Sequence, residues 1–207
     1  MARIDHVVTS GVFSLDGEDF DVDNNIWIVG DDREVIIVVA AHDHRPILEG
    51  VGGRRVKAIV CTHAHHDHIN AAAALAEETG APIWLHPDDT MLWEVVYPDR
   101  RVDDQLRDGQ VVEVGGAEVT MLHTPGHSPG GVCLYVPSEG VVFSGDTLFN
   151  GGPGATGRSF SDYGLILDSI ERSLFTLPDQ TRVHTGHGDS TSIGAEKPNL
   201  ARWRSEQ

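Results

Sequence analysis

The stretch His63-Ala64-His65-His66-Asp67-His68 constrains this chain more than any other, because it sets a dense group of imidazoles and a carboxylate between two apolar segments. Ahead of it, Val56 to Thr62 reads as a strand buried on both faces. Behind it, Ile69 to Thr79 is rich in strong helix formers and stops at Gly80, which suits a left-handed C-terminal cap. The histidines therefore occupy an irregular strand-to-helix loop, where neighbouring side chains fan out. His63 and His65 can serve one metal ion while Asp67 and His68 serve another a few ångströms away. The loop also lies at a helix N-terminus, whose dipole favours ionised Asp67 and neutral His68, the states in which each binds metal. Imidazole with carboxylate suits zinc, iron or manganese. The alternative is a solvated surface loop.

Charge excludes several classes. The 207 residues carry 15 Lys and Arg against 32 Asp and Glu, a net charge of -17. Such a field repels nucleic acid phosphates and anionic lipid headgroups, so neither nucleic acid nor membrane is an expected partner. No segment holds the roughly 20 apolar residues of a spanning helix, and the start, MARIDHVVTSG, has no apolar region behind a basic one. A cytoplasmic location is the expectation. Cys61 and Cys133 lie inside apolar runs and read as reduced core thiols. Without repeats or a Pro/Ser-rich linker, residues 1–207 are expected to form one domain, and a homodimer is left open.

Apolar patterning supplies the architecture. Residues 26–29 and 34–41 read as a hairpin, with Val7 to Phe13 pairing nearby. A short helix over Pro46 to Gly50, the strand Pro82 to His86, and short helices and loops over Asp88 to Gly109 follow. Two more strand pairs, 111–114 with 117–122 and 132–136 with 141–144, precede a glycine-rich loop at 151–157. A helix from Ser161 to Leu177 then presents Leu165, Ile166, Ile170, Leu174 and Phe175 at core-facing spacing. A strand near Arg182 to Thr185 and a helix from Ala195 to Trp203 end the chain. Strands, helix, strands, helix predict an α/β protein, a four-layer αβ/βα sandwich with two sheets face to face and helices on the outer faces.

Three later segments place a metal-ligand residue type at a strand end beside glycine: Thr124-Pro125-Gly126-His127-Ser128-Pro129-Gly130, Ser144-Gly145-Asp146-Thr147-Leu148 and Thr185-Gly186-His187-Gly188-Asp189. With the H-x-H-x-D-H pattern at 63–68, these segments resemble the metallo-β-lactamase superfamily over nearly the whole chain. That resemblance implies two mixed sheets and a binuclear site. His63, His65 and His127 would bind one ion, Asp67, His68 and His187 the other, and Asp146 would bridge them. The segments around His127 and Asp146 are similar to the small glyoxalase II branch, the hydroxyacylglutathione hydrolases, and Gly157-Arg158 is similar to an arginine of that branch near the thiol-bearing substrate. Phe149 and Tyr163 bracket the Arg158 loop and are candidates for the substrate rim. The chain departs from that branch in lacking its C-terminal helical domain and in a longer glycine-rich loop before Arg158. Val39 also stands where an acidic residue is often found.

The resemblance implies a metal-dependent hydrolase of a small-thiol thioester, with two divalent ions, zinc first and iron or manganese as alternatives. A shared water with its pKa lowered toward neutrality would attack the carbonyl, and Asp67 would act as both ligand and orienter of that water. A thiolate leaves with little acid assistance, since thiol pKa values lie near 8.5. The rival is a persulfide dioxygenase-like enzyme with a single iron held by His63, His127 and Asp146, which also make a two-His, one-carboxylate triad. A non-catalytic metal-stabilised module is the bland reading. Outside this set, His42 and His44 read as polar loop residues, His123 and His184 as structural, and His86 as either structural or a support to the site. Trp27, Trp84, Trp93 and Trp203 read as packing residues.

Overall fold

Long β-branched runs pair early in the chain and carry everything that follows. The computed structural model of the protein describes residues 2–15 and 18–206. Strands β1 (Arg3–Leu15) and β2 (Glu18–Gly30) form an antiparallel hairpin, with Arg3 opposite Gly30 and Phe13 opposite Phe20. Strand β3 (Glu34–Val38) folds back on β2 through a turn in which the Asp31 carboxylate accepts from the backbone of Arg33 and Glu34. Strands β4 (Arg55–Val60), β5 (Ile83–Leu85) and β6 (Asp104–Gln105) then add in parallel, giving a mixed sheet in the order β1-β2-β3-β4-β5-β6. Parallel neighbours need crossovers. These are α1 (His44–Val51), the pair α2 (His66–Ile69) and α3 (Ala72–Thr79), and α4 (Thr90–Val96).

The second sheet starts with the hairpin β7 (Val111–Val114) and β8 (Ala117–His123), then β9 (Val132–Val136) and β10 (Val141–Gly145). After a small hairpin of β11 (Leu148–Phe149) and β12 (Gly152–Pro153), helix α5 (Tyr163–Ser169) returns the chain to β13 (Arg182–Thr185), parallel to β10, and β14 (Thr191–Ser192). The order is β14-β13-β10-β9-β8-β7, with α6 (Ile193–Glu196) and α7 (Leu200–Ser205) closing the described chain.

Strands β9 and β10 show how the layers are held. Val132, Leu134, Val136, Val141 and Phe143 join the core between the sheets, whereas Cys133 and Val142 pack in a second core with Ile166, Ile170, Leu174 and Trp203 under the C-terminal helices. Period-two alternation buries both faces, so these strands are apolar throughout. This is the expected four-layer sandwich. Cys61 and Cys133 are buried and unpaired thiols.

Several boundaries differ from expectation. The helix predicted over Ile69 to Thr79 is two, and the first begins inside the histidine stretch at His66. The break follows from Ala40, whose N–H donates to the His68 carbonyl and whose carbonyl accepts from the Ala71 N–H, drawing off groups that would continue the ladder. Val39, just before it, holds φ of 70°, a strained value for a β-branched residue, as the chain turns off the sheet. The helix expected over Ser161 to Leu177 is α5, capped by Asp162 and followed by a wider π-type turn from Ile170 to Leu174. On it Leu167 is buried while Leu165 is exposed, so Leu165 is not a core residue. The last helix is split by a 3-10 turn at Lys197–Asn199.

Candidate metal centre

Strands β8 and β10 point the same way because each is antiparallel to β9, and β13 is parallel to β10. Their C-terminal ends therefore lie on one edge of the second sheet, and the loops leaving them carry His127, Asp146 and His187. The loop after β4 brings His63 and His65 to the same place, and α2 adds Asp67 and His68. Backbone bonds tie the two sheets at this edge: Val132 N–H donates to Thr62 C=O at 2.8 Å, and Asn25 N–H to Gly186 C=O at 2.8 Å. All the residues assigned as ligands from sequence thus converge, and exposed His66 falls outside them.

The convergence has two lobes. Ligand atoms of His63, His65 and His127 lie within 4.8 Å of one another, as do those of Asp67, His68 and His187. Asp146 stands between them, with Oδ1 3.4 Å from His68 Nε2 and Oδ2 3.7 Å from His127 Nε2 and 3.5 Å from His187 Nε2. Nitrogens meet closely across each lobe, His65 Nδ1 to His127 Nε2 at 2.9 Å and His68 Nε2 to His187 Nε2 at 2.9 Å. His63 Nε2 and Asp146 Oδ1 are buried without a hydrogen-bond partner. A buried polar atom left unpaired costs about 1–3 kcal/mol, and divalent cations would satisfy these. The donor set therefore fits metal: imidazole nitrogens gathered around central carboxylates. His127 Nδ1 donates to Ala155 C=O and His187 Nδ1 to Asp23 C=O, each at 2.8 Å, which turns Nε2 of both rings toward the centre.

Electrostatics divides the lobes as well. Burial holds His63 well below the ordinary imidazole pKa, and burial with neighbouring His127 and His68 brings His65 down to about 4. Burial pulls His187 down too, but hydrogen bonds to Asp146 and Asp67 outweigh it and push the ring up to about 11. Burial opposes ionisation of Asp146 and Asp67, yet the facing imidazoles hold both carboxyls below their usual range.

A cavity of 440 Å³ opens onto the lobes, lined by His65, Asp67, His127, Asp146, His187, Arg158 and, from the β1–β2 hairpin, Phe13, Val22 and Asp23. The Arg158 guanidinium lies 5.0 Å over the Phe13 ring. Phe149 sits beside His187, ring centroids 6.3 Å apart, but does not line the cavity. Tyr163, expected at the rim, is turned away: its hydroxyl donates to Trp203 C=O at 3.0 Å, and its ring packs on the C-terminal core. Of the residues proposed to touch substrate, Arg158 is the one that faces the cavity.

Sequence reasoning passed over the hairpin residues and three buried polar ones, Asn24, Asn25 and Asp89. Asn24 Nδ2 donates to Asp67 C=O at 3.0 Å, while its Oδ1 meets His42 Nε2 at 2.8 Å. Asn25 Nδ2 donates to Thr185 C=O and Gly188 C=O. The signal was present, since two adjacent asparagines stand directly before the apolar run Ile26 to Val29. Away from the lobes, His86 and His123 stack at 4.0 Å beside Asp88, and His184 stacks on Trp27 at 4.1 Å.

The chain belongs to the metallo-beta-lactamase superfamily, whose family pattern matches residues 20–190. It is 33% identical over 158 residues to the hydroxyacylglutathione hydrolase GloC of Haemophilus influenzae, a match covering 69% of this chain and 73% of that one. Among solved structures, TTHA1623 in a di-iron-bound form superposes with a TM-score of 0.76 at 33% identity, covering 85% of this chain and 93% of that one. ETHE1 from Myxococcus xanthus superposes with a TM-score of 0.75 at 28% identity, over 88% and 80% of the two chains.

Proposed function

We propose that this protein is a metal-dependent hydrolase of thioesters of a small thiol, working with two divalent ions. One observation carries the reading: two ligand lobes share Asp146 and open into a cavity sized for a small substrate. GloC, named for hydrolysis of a glutathione thioester, and the di-iron form of TTHA1623 support it. His63, His65 and His127 would hold one ion, Asp67, His68 and His187 the other, and Asp146 both. Bound there, such ions supply an activated water at neutral pH and a Lewis acid for the carbonyl oxygen, whether zinc, iron or manganese.

The chain's own residues do the rest. Asp67 Oδ2, 3.4 Å from both His187 Nε2 and His68 Nε2, lies beside the basin and orients the attacking water. Phe13 and Val22 shield one wall from solvent, and Arg158 supplies a positive charge at the mouth for an anionic group on the acyl or thiol portion. No group is dedicated to protonating the leaving sulfur, which fits a thiolate. Partners follow from this: a small-molecule substrate, with nucleic acid and anionic membrane disfavoured by the acidic charge, and the cytoplasm as the place of action. No helix among the described residues is long and apolar enough to cross a membrane.

The test is metal content by mass spectrometry on protein purified without chelator, followed by hydrolysis of a glutathione thioester series. Close to two ions per chain and thioester turnover are expected. Likeness to ETHE1 and the His63, His127, Asp146 set keep sulfur oxygenation as a second reading. About one iron per chain with oxygen consumed on a glutathione persulfide would overturn the hydrolase in its favour.

A further inference from the structure

We propose that Asp89 is the positioning residue for the His63, His65, His127 lobe, and that the two lobes are held by separate buried scaffolds, so that metal affinity on one side can be changed without the other. The inference rests on the two-lobe metal reading and is independent of which substrate is hydrolysed.

Asp89 ends the short turn after β5 and is fully buried. Its Oδ2 accepts from Ala64 N–H at 2.9 Å and from Ser128 Oγ at 2.9 Å, and its Oδ1 accepts from Gly130 N–H at 2.5 Å. Ala64 lies between His63 and His65, and Ser128 directly follows His127. One carboxylate thus joins the two loops that carry every imidazole of this lobe. Gly130 allows the approach, since a Cβ there would meet Asp89 backbone and carboxyl at 2.7–2.9 Å. All three partners are donors, which suits an ionised acceptor, and no ion pair to Asp89 occurs among the described residues.

A buried carboxylate without a cation is costly unless something positive arrives nearby. The lobe above it offers three imidazoles and no carboxylate of its own apart from shared Asp146, so a bound divalent ion would be that charge. The other lobe is the converse. It contains Asp67, and its scaffold is uncharged: Asn24 amide to Asp67 C=O, Asn25 amide to Thr185 and Gly188 C=O, and Asp23 backbone C=O to His187. A carboxylate braces the lobe of three imidazoles, amide and carbonyl groups brace the lobe that holds Asp67, and none of these bonds crosses over.

The test measures zinc dissociation constants by chelator competition in two single-lobe proteins, His187→Ala, which leaves the Asp89 side, and His65→Ala, which leaves the Asn24 side. Losing an outer partner of a metal ligand costs about 10–100-fold in affinity. Asp89→Asn is expected to weaken zinc by that factor in the His187→Ala protein and by less than about threefold in the His65→Ala protein, and Asn24→Ala to show the reverse. Should Asp89→Asn fail to fold, Ser128→Ala removes a single donor and is expected to weaken only the His187→Ala protein, by about threefold or more. Equal effects on both lobes, or none on either, would overturn the inference alone. Failure of the unmutated protein to bind zinc would overturn the metal reading and the inference with it.

Discussion

His63, His65 and His127 meet as three imidazoles without a carboxylate of their own, whereas His68 and His187 share their lobe with the Asp67 carboxylate. The first group comes from the loops after β4 and β8, braced from below by Asp89. The second comes from α2 and the loop after β13, braced by the β1–β2 hairpin through Asp23, Asn24 and Asn25. Burial lowers His63 and brings His65 to about 4, while the carboxylates of the second lobe push His187 to about 11. Two sites a few ångströms apart in one basin therefore present different charge to an incoming ion, and only Asp146 belongs to both. The difference teaches that two clusters of ligand-type residues joined by a single carboxylate can rest on different parts of one fold.

The hardest blow to that arrangement is Asp146→Ala. Outer partners of metal ligands are worth about 10–100-fold, so losing the shared ligand is expected to lower thioester turnover by more than about 10²-fold and to bring metal content from two toward one, as read by steady-state assay and mass spectrometry. A variant that kept both ions and full turnover would break the comparison outright. Two glycines sharpen it next. A Cβ at Gly186 would sit 2.2 Å from Asp146 Oδ1 and 3.0 Å from His68 Cε1, whereas one at Gly130 would press on Asp89. Gly186→Ala, which presses on shared Asp146, is expected to weaken both lobes by about tenfold or more, and Gly130→Ala the histidine lobe alone by a similar factor, seen as loss of both classes of sites or of one in a zinc titration.

Arg158→Ala tests the cavity and not the lobes. A cation over an aromatic ring is worth about 0.5–1 kcal/mol when exposed, and a lost ionic contact to substrate adds to that. KM for an anionic thioester is expected to rise by about tenfold with kcat little changed, the mark of uniform binding. A fall in kcat alone would remove Arg158 from substrate binding.

The smallest effect concerns acid stability. Burial, then Arg182 and His6, lowers His184 to about 4 from an ordinary value of 6.5. Below that ordinary value the unfolded chain takes up a proton that the folded one refuses. His184 therefore costs stability progressively as pH falls from about 6.5 toward 4, and nothing above. Melting temperature is expected to drop over that window, and His184→Gln to flatten the slope. An unchanged slope would show that other groups govern it.

Legibility followed locality. The H-x-H-x-D-H stretch, the glycine-flanked His127, Asp146 and His187, and the alternation of strands and helices were all readable, because each is a short-range pattern with a physical meaning. Tyr163 was misjudged because closeness along the chain to Arg158 suggested a shared rim, while the hydroxyl finds Trp203 across the fold. Leu165 was misjudged by one helical step, and the split at Asn70 and Ala71 could not be foreseen because its cause, Ala40, lies in another segment. Phe13 and Val22 reach the cavity because a hairpin of two thirteen-residue strands leans over it, which no local pattern states.

By itself, then, the sequence determined the ligand types, their order and the two-sheet architecture, since residue chemistry and apolar period are properties of the chain. Only the tertiary structure decided which buried polar residues brace which ligand. Asp89 and the Asn24-Asn25 pair are ordinary in sequence, and they acquire a role only where distant backbone groups arrive with no other partner.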